Sequence, residues 1–267
     1  MPLSAPLLVV ENVTKVYASD SHEVVALKDI SLSVEKGQFV SIVGPSGCGK
    51  TTLLEILCGL RTPSSGAVKI KGETVVGPHR SIGIVFQEES TFPWRTVLEN
   101  VEFGLQMRGV GKAERREKAR QMIAMVGLSG FEDAYPYQLS GGMKQRVAIA
   151  RTLVTEPEIV VMDEPFGALD EQTRLILGGE LLKIVEQTKA TVVLVTHSIQ
   201  EAALLSDLIV VLSARPGRIK ELIRSPLPKP RDAAILTTSE FAGITQRIWS
   251  SLEEEALMFG KVNAERS

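Results

Sequence analysis

The stretch GPSGCGKTT, residues 44–52, constrains this chain more than any other segment. It matches G-x-x-x-x-G-K-[ST], with a β-branched apolar run (39–43) before it and a helical pattern (51–60) after it. Gly44, Gly47 and Gly49, with Pro45, Ser46 and Cys48 between them, let backbone N–H groups wrap phosphate oxygens. The start of the helix adds its positive end. In that reading Lys50 bridges the β- and γ-phosphates, the Thr51 hydroxyl ligates Mg²⁺ and Thr52 reaches the α-phosphate.

The rest of the chain agrees with an α/β core. QFVSIVG, EIVVMD, TVVLVT and LIVVLS are short β-branched runs followed by helical patterns, which favours a largely parallel sheet. Strands are expected at 8–17, 24–34, 39–43, 67–71 and 82–86. No long helix separates the early strands, so an antiparallel β portion comes first. From about 91 to 155 the pattern is helical, with a Thr96–Glu99 capping box and a charged helix carrying Met122, Ile123 and Val126 on its apolar side. This reads as a helical insertion. Strand–helix alternation resumes at Ile159, Thr191 and Leu208, with Ser198 and Glu201 capping a helix. ARPG then turns into a hairpin.

Residues 226–267 form a C-terminal extension, reached through a proline-rich connector, in which Phe241, Ile244, Ile248 and Leu252 share a helical face. Gly178 and Gly179 fall inside a predicted helix, where each costs about 0.5–1 kcal/mol relative to alanine, so a weakened or bent helix is expected. His22 and His79 fall in expected loops and receive no role.

A second signal concerns hydrolysis. In EIVVMDEP an apolar strand ends in acids: Asp163 would hold Mg²⁺ through water, and Glu164 would orient or deprotonate the attacking water. With the phosphate loop this implies a nucleoside triphosphatase. Net charge of −2 gives no electrostatic argument for nucleic acid. Two cysteines, one of them inside the phosphate loop, imply no structural disulfide and a reducing, cytosolic chain. The apolar runs fall far short of the ~20 residues of a membrane span. The opening MPLSAPLLVVENVTKVY lacks a basic start and meets polar residues too soon for a signal peptide.

LSGGMKQR, residues 139–146, offers a further serine-glycine turn suited to phosphate. With it the chain resembles the ATP-binding subunit of an ABC transporter, over residue 7 to roughly 224. The resemblance implies an ABC ATPase domain over 1–225 with a helical subdomain at about 91–155. It implies that Tyr17 stacks on adenine, that Gln87 reaches Mg²⁺ and the attacking water, and that Ala168, Leu169 and Asp170 form a dimer-contact loop. It makes His197 the switch histidine that senses the γ-phosphate. It also implies a head-to-tail homodimer in which Ser140, Gly141 and Gly142 grip ATP held by the other copy.

Met143, PFGALDEQTR and LSARPGRI are similar to the importer subfamily for nitrate, aliphatic sulfonates and taurine. Methionine at 143 keeps the Ser-Gly-Gly grip while removing one polar side chain near the ribose. The loop containing Phe92, Pro93 and Trp94 offers an apolar surface, which the resemblance assigns to a helix of the membrane subunit. Expected partners are therefore a second copy, two permease subunits and, indirectly, a solute-binding protein, with the chain peripheral on the cytoplasmic face of the cell membrane. A soluble ABC-type ATPase acting on nucleic acid or ribosomes is the alternative reading. It lacks support in a single cassette with one modest helical lobe and no long coiled coil. A regulatory module without turnover is opposed by Glu164 and His197.

Overall fold

The computed structural model describes residues 5–19, 22–87 and 90–264. Met1 to Ser4 of the screened N-terminal segment, Glu89 beside the aromatic loop, and 265–267 of the extension lie outside the described residues. Strands β1 (Leu8–Ser19), β2 (His22–Val34) and β3 (Phe39–Val43) precede helix α1 (Lys50–Leu57). His22, expected in a loop, opens β2. Strands β4 (Ser65–Ile70), β5 (Glu73–Thr74) and β6 (Ile82–Val85) come next. Helices α2 (Val97–Met107), α3 (Lys112–Met125) and α4 (Gly141–Leu153) then follow one another. β7 (Ile159–Asp163), α5 (Glu171–Thr188), β8 (Thr191–Val195), α6 (Ile199–Leu205) and β9 (Leu208–Leu212) alternate. β10 (Ile219–Arg224) and α7 (Ser239–Ala264) complete the order.

The chain divides into two compact units, the first comprising 1–79 and 193–267 and the second 80–192. In the first, an antiparallel sheet has the order β2-β1-β4-β5. Another sheet runs β10-β9-β3-β8, with β9 parallel to β3 and β10 folded back antiparallel on β9. β3 and β9 are buried along their whole length, which explains why their sequences are continuous apolar runs instead of alternating ones. Phe241, Ile244 and Ile248 of α7 are buried, and that helix packs on α6, β9 and β10.

In the second unit β6 pairs in parallel with β7. α2, α3 and α4 pack together through Val97, Val101, Ile123 and Val147, each fully buried, at the spacing an amphipathic helix requires. The α2 capping box is formed: the Glu99 N–H donates to Thr96 Oγ1 over 3.3 Å and the Thr96 N–H to Glu99 Oε2 over 3.1 Å. Such caps contribute about 1 kcal/mol. α5 runs as one unbroken helix through Gly178 and Gly179. Buried Leu177, Leu181 and Ile184 of the same helix supply the packing that offsets the glycines' low propensity.

Candidate functional site

The phosphate loop leaves the buried end of β3 and enters α1. A Cβ at Gly44 would stand 2.8 Å from Cys48 Sγ and 3.1 Å from the Leu212 carbonyl, so a side chain there would displace Cys48 and press on the Leu212 backbone. Gly49 has φ 102, and a Cβ on it would lie 2.8 Å from Leu27 Cδ2. The residue before α1 provides no side-chain cap and the helix has no acid in its first turn. Its N-terminal dipole is thereby directed at the loop, an arrangement suited to an anion. Lys50, only 8% exposed, folds over the loop and donates to the Gly44 and Pro45 carbonyls over 2.9 and 3.1 Å. Burial pushes the Cys48 thiol up, with Lys50 opposing and the Glu255 carboxylate adding to the rise. Cys48 is 1% exposed, which disfavours the reactive thiolate.

The surroundings within this unit are polar and specific. The Tyr17 hydroxyl lies 3.2 Å from Thr52 Oγ1, the hydroxyl expected to reach the α-phosphate. Lys15 Nζ and Arg61 Cζ stand 5.4 and 5.2 Å from the centroid of the Tyr17 ring, which gives it a cationic neighbourhood. Arg215 Nη2 donates to the Gly47 carbonyl over 3.2 Å. His197 is exposed between the buried Thr196 and Ser198. The Ser198 N–H donates to Thr196 Oγ1 over 3.0 Å, the Thr196 hydroxyl bonds the Glu201 carboxylate, and the Glu201 N–H donates to Ser198 Oγ over 3.3 Å. That network holds the backbone on either side of the imidazole.

In the second unit Asp163 ends the buried strand β7, and Glu164 follows with φ 43. A glutamate in the left-handed region is uncommon, and strain of this kind clusters at functional sites. The Gln87 side-chain amide donates to Glu164 Oε2 over 3.3 Å. Ser140 caps α4, its Oγ accepting from the Met143 N–H over 3.3 Å, and Ser140 and Gly141 are exposed. No acid stands in the first turn of α4, which has the character of the α1 start. Asp170 caps α5 by accepting from the Thr173 N–H over 2.9 Å. Arg174 donates to the Phe166 and Leu169 carbonyls and so fixes the loop containing Ala168. Phe92 packs edge-on against Phe103, whereas Trp94 is 71% exposed.

The donors expected to hold Mg²⁺ are the Thr51 hydroxyl, Gln87 and Asp163. All three offer hard oxygen atoms, the chemistry that cation takes beside phosphate oxygens and water.

A family model described as ABC transporter matches residues 27–167. This chain belongs to the ABC transporter family. It is 56% identical to an uncharacterized ABC transporter ATP-binding protein of Methanocaldococcus jannaschii, over 94% of this chain and 92% of that protein. It is 45% identical to the nitrate import ATP-binding protein of Synechocystis, over 83% of each chain. Identity to an aliphatic sulfonates import ATP-binding protein of Bacillus cereus is 42%, over 93% of this chain and 97% of that one. Among solved structures, a dimeric ATP-binding cassette in a post-hydrolysis state bound to ADP and Pi is similar at TM-score 0.72. Identity to it is 36%, with 81% of this chain and 98% of that one covered.

This ABC ATPase also carries residues that motif reading passed over. Asn100 is fully buried; it accepts from the Phe92 N–H over 2.7 Å and donates to the Phe92, Arg95 and Thr96 carbonyls over 3.0–3.1 Å. A polar residue at an apolar helical position, in TVLENV, is the signal by which the sequence could have revealed it. Arg151, at the far end of α4, bonds the Ser90 carbonyl and hydroxyl, and its guanidinium lies 5.2 Å from the centroid of the Phe92 ring. Burial lowers the pKa of Arg151. Arg174 and Arg215 fall within PFGALDEQTR and LSARPGRI, but local sequence assigns neither them nor Arg61 a partner, because the fold sets which acceptor each guanidinium meets.

Proposed function

We propose that the chain energises an ABC importer for a small anionic or organosulfur or nitrogen compound, of the nitrate, sulfonate or taurine type, through ATP-driven closure of a homodimer. The observation that carries this reading is an exposed helix start, Ser140 and Gly141 on α4, in a chain whose residues 44–52 already form a phosphate loop. A cassette that grips only its own nucleotide needs one such cradle. Two imply that each copy completes the site of the other. The import proteins among its relatives support the transport direction and the substrate class.

In this reading the backbone of residues 44–49, with Lys50 and Thr52, binds the phosphates of ATP, and Tyr17 stacks on adenine. Thr51, Gln87 and Asp163 hold Mg²⁺, which supplies neutralisation of phosphate charge. Glu164 accepts a proton from, or orients, the attacking water, Gln87 keeps that carboxylate in place, and His197 senses the γ-phosphate. Ser140, Gly141 and Gly142 of the second copy donate to the same phosphate. Charge-assisted bonds contribute about 1.5–3 kcal/mol each, so a few suffice to bias closure. Hydrolysis separates the phosphate and releases that contribution, which turns nucleotide state into movement. The helical subdomain at about 91–155 carries the permease contact at Phe92, Pro93 and Trp94, and two permease subunits hold the chain on the cytoplasmic face of the membrane. No helix among the described residues is long and apolar enough to cross it.

Sedimentation of Glu164→Gln with and without Mg-ATP tests closure: ATP should convert monomer to dimer, and Ser140→Arg should abolish the conversion. A persistent monomer, also in the presence of the permease, overturns the reading. Co-purification with a multi-span permease and loss of ATP-dependent uptake in Trp94→Ala test the coupling surface.

A further inference from the structure

The ARPG segment and helix α7 lie outside every nucleotide motif, yet both touch the phosphate loop's supports. Gly217 is stitched to β2 by two backbone bonds: its N–H donates to the Ala26 carbonyl, and the Lys28 N–H donates to its own carbonyl, both over 2.9 Å. A Cβ on Gly217 would stand 2.2 Å from the Cys48 carbonyl, so only glycine lets the turn lie against the loop. Two residues earlier, Arg215 donates to the Gly47 carbonyl. The turn thus contacts the loop at two successive residues, 47 and 48.

The turn is in turn held from α7. Glu255, 9% exposed, accepts from the Ala214 N–H through Oε2 over 2.8 Å. Its Oε1 lies 3.1 Å from Lys220 Nζ, which also donates to the Ser251 carbonyl over 2.9 Å. A buried carboxylate with these partners is a fixed anchor, since removing it takes the acceptor from the Ala214 amide and the counter-charge from the Lys220 ammonium. A phosphate cradle works only when its N–H groups converge within a fraction of an ångström. We infer that Glu255 of α7 is a positioning residue for the ATP-binding phosphate loop, acting through the 214–217 turn and Arg215. The C-terminal extension is then part of the nucleotide-binding apparatus. This rests on ATP binding at residues 44–52 but not on dimer closure or on any transported compound.

The test is ADP affinity of the purified full chain by calorimetry, with steady-state ATP hydrolysis beside it. ADP is used because it needs no second copy. Glu255→Ala and Arg215→Ala should each raise the ADP Kd, and KM for ATP with it, by about three- to tenfold, the scale of one lost hydrogen bond. The kcat should stay within about twofold, because the hydrolytic groups are untouched. Glu255→Gln keeps an oxygen for the Ala214 N–H and should restore most of the affinity. The double variant should be no worse than the poorer single one, as expected for residues on one path. Trp249→Ala, on the exposed side of the same helix, should bind ADP as the parent does. An unchanged Kd in either single variant, or effects that multiply in the double, overturns the inference. If Glu255→Ala fails to fold, Arg215→Ala and Glu255→Gln still decide it: the inference falls if Arg215→Ala binds ADP normally or Glu255→Gln loses affinity as fully as Arg215→Ala. Failure of the parent chain to bind ADP instead removes the nucleotide reading itself.

Discussion

The amide of Gln87 reaches the carboxylate of Glu164 across 3.3 Å, while the Glu164 backbone sits at φ 43. A left-handed conformation costs a non-glycine residue of order 1–3 kcal/mol and persists only when its surroundings over-determine it. Here the Gly167 N–H donates to the Glu164 carbonyl over 3.0 Å, and Gln87 holds the other end of the residue. The carboxylate is therefore oriented from both its backbone and its side chain.

Glu164→Gln preserves an acceptor for Gln87 but cannot take a proton. Phosphate release should fall by about 10²–10⁴-fold, the usual contribution of a positioned base. ADP affinity should remain near that of the parent. A loss smaller than tenfold in a phosphate-release assay would show that another group handles the water.

Asn100→Ala should destabilise the chain by about 1–3 kcal/mol, because the Phe92 amide loses its buried acceptor. Urea denaturation measures this. The same change should loosen the Phe92–Trp94 loop, read as increased tryptophan quenching, while Gln106→Ala nearby should do neither.

Gly179 lies within α5, and a Cβ placed there meets nothing within 4 Å. Gly179→Ala should raise stability by about 0.5–1 kcal/mol through reduced freedom of the unfolded chain and better helix propensity. A neutral or negative result in thermal unfolding would mean that this glycine serves a contact made only in an assembly.

The Asp170 carboxyl is held below its ordinary value, first by the Thr173 side chain and then by the Thr173 backbone N–H. The folded form thus favours the carboxylate, and the stabilisation is complete above the unfolded pKa of about 3.9. It disappears as pH falls through the lower folded value. Asn caps helices without titrating, so the stability of the parent relative to Asp170→Asn should be flat from neutral pH to about 5 and should decline on further acidification. Denaturation series at several pH values check this; a difference that does not change with pH would remove the assignment.

The legible part of this molecule was local. The starts of β3, β7, β8 and β9 and the caps at Thr96 and Ser198 fall where periodicity and capping chemistry put them. Gly44 was readable as phosphate-loop glycine, and the close approach of Leu212 gives a second reason for it. Sequence neighbours alone place His22 in a loop, whereas it opens β2, because a polar residue at a strand start resembles a loop residue locally. Helix propensity alone predicts a weak point at the glycine pair in α5, whereas packing of Leu177, Leu181 and Ile184 sustains the helix through it.

By itself the sequence determined the chemistry: a phosphate loop between strand and helix, an acid pair after an apolar strand, and a serine-glycine helix start, each set by residues adjacent along the chain. Only the tertiary structure decided what holds those groups still. Gln87 and Glu164, Arg151 and Ser90, Arg215 and Gly47, and Glu255 and Ala214 are pairs far apart in sequence. Such pairs have no period or spacing to betray them, because the chain's path through space, not its local propensity, sets which donor meets which acceptor.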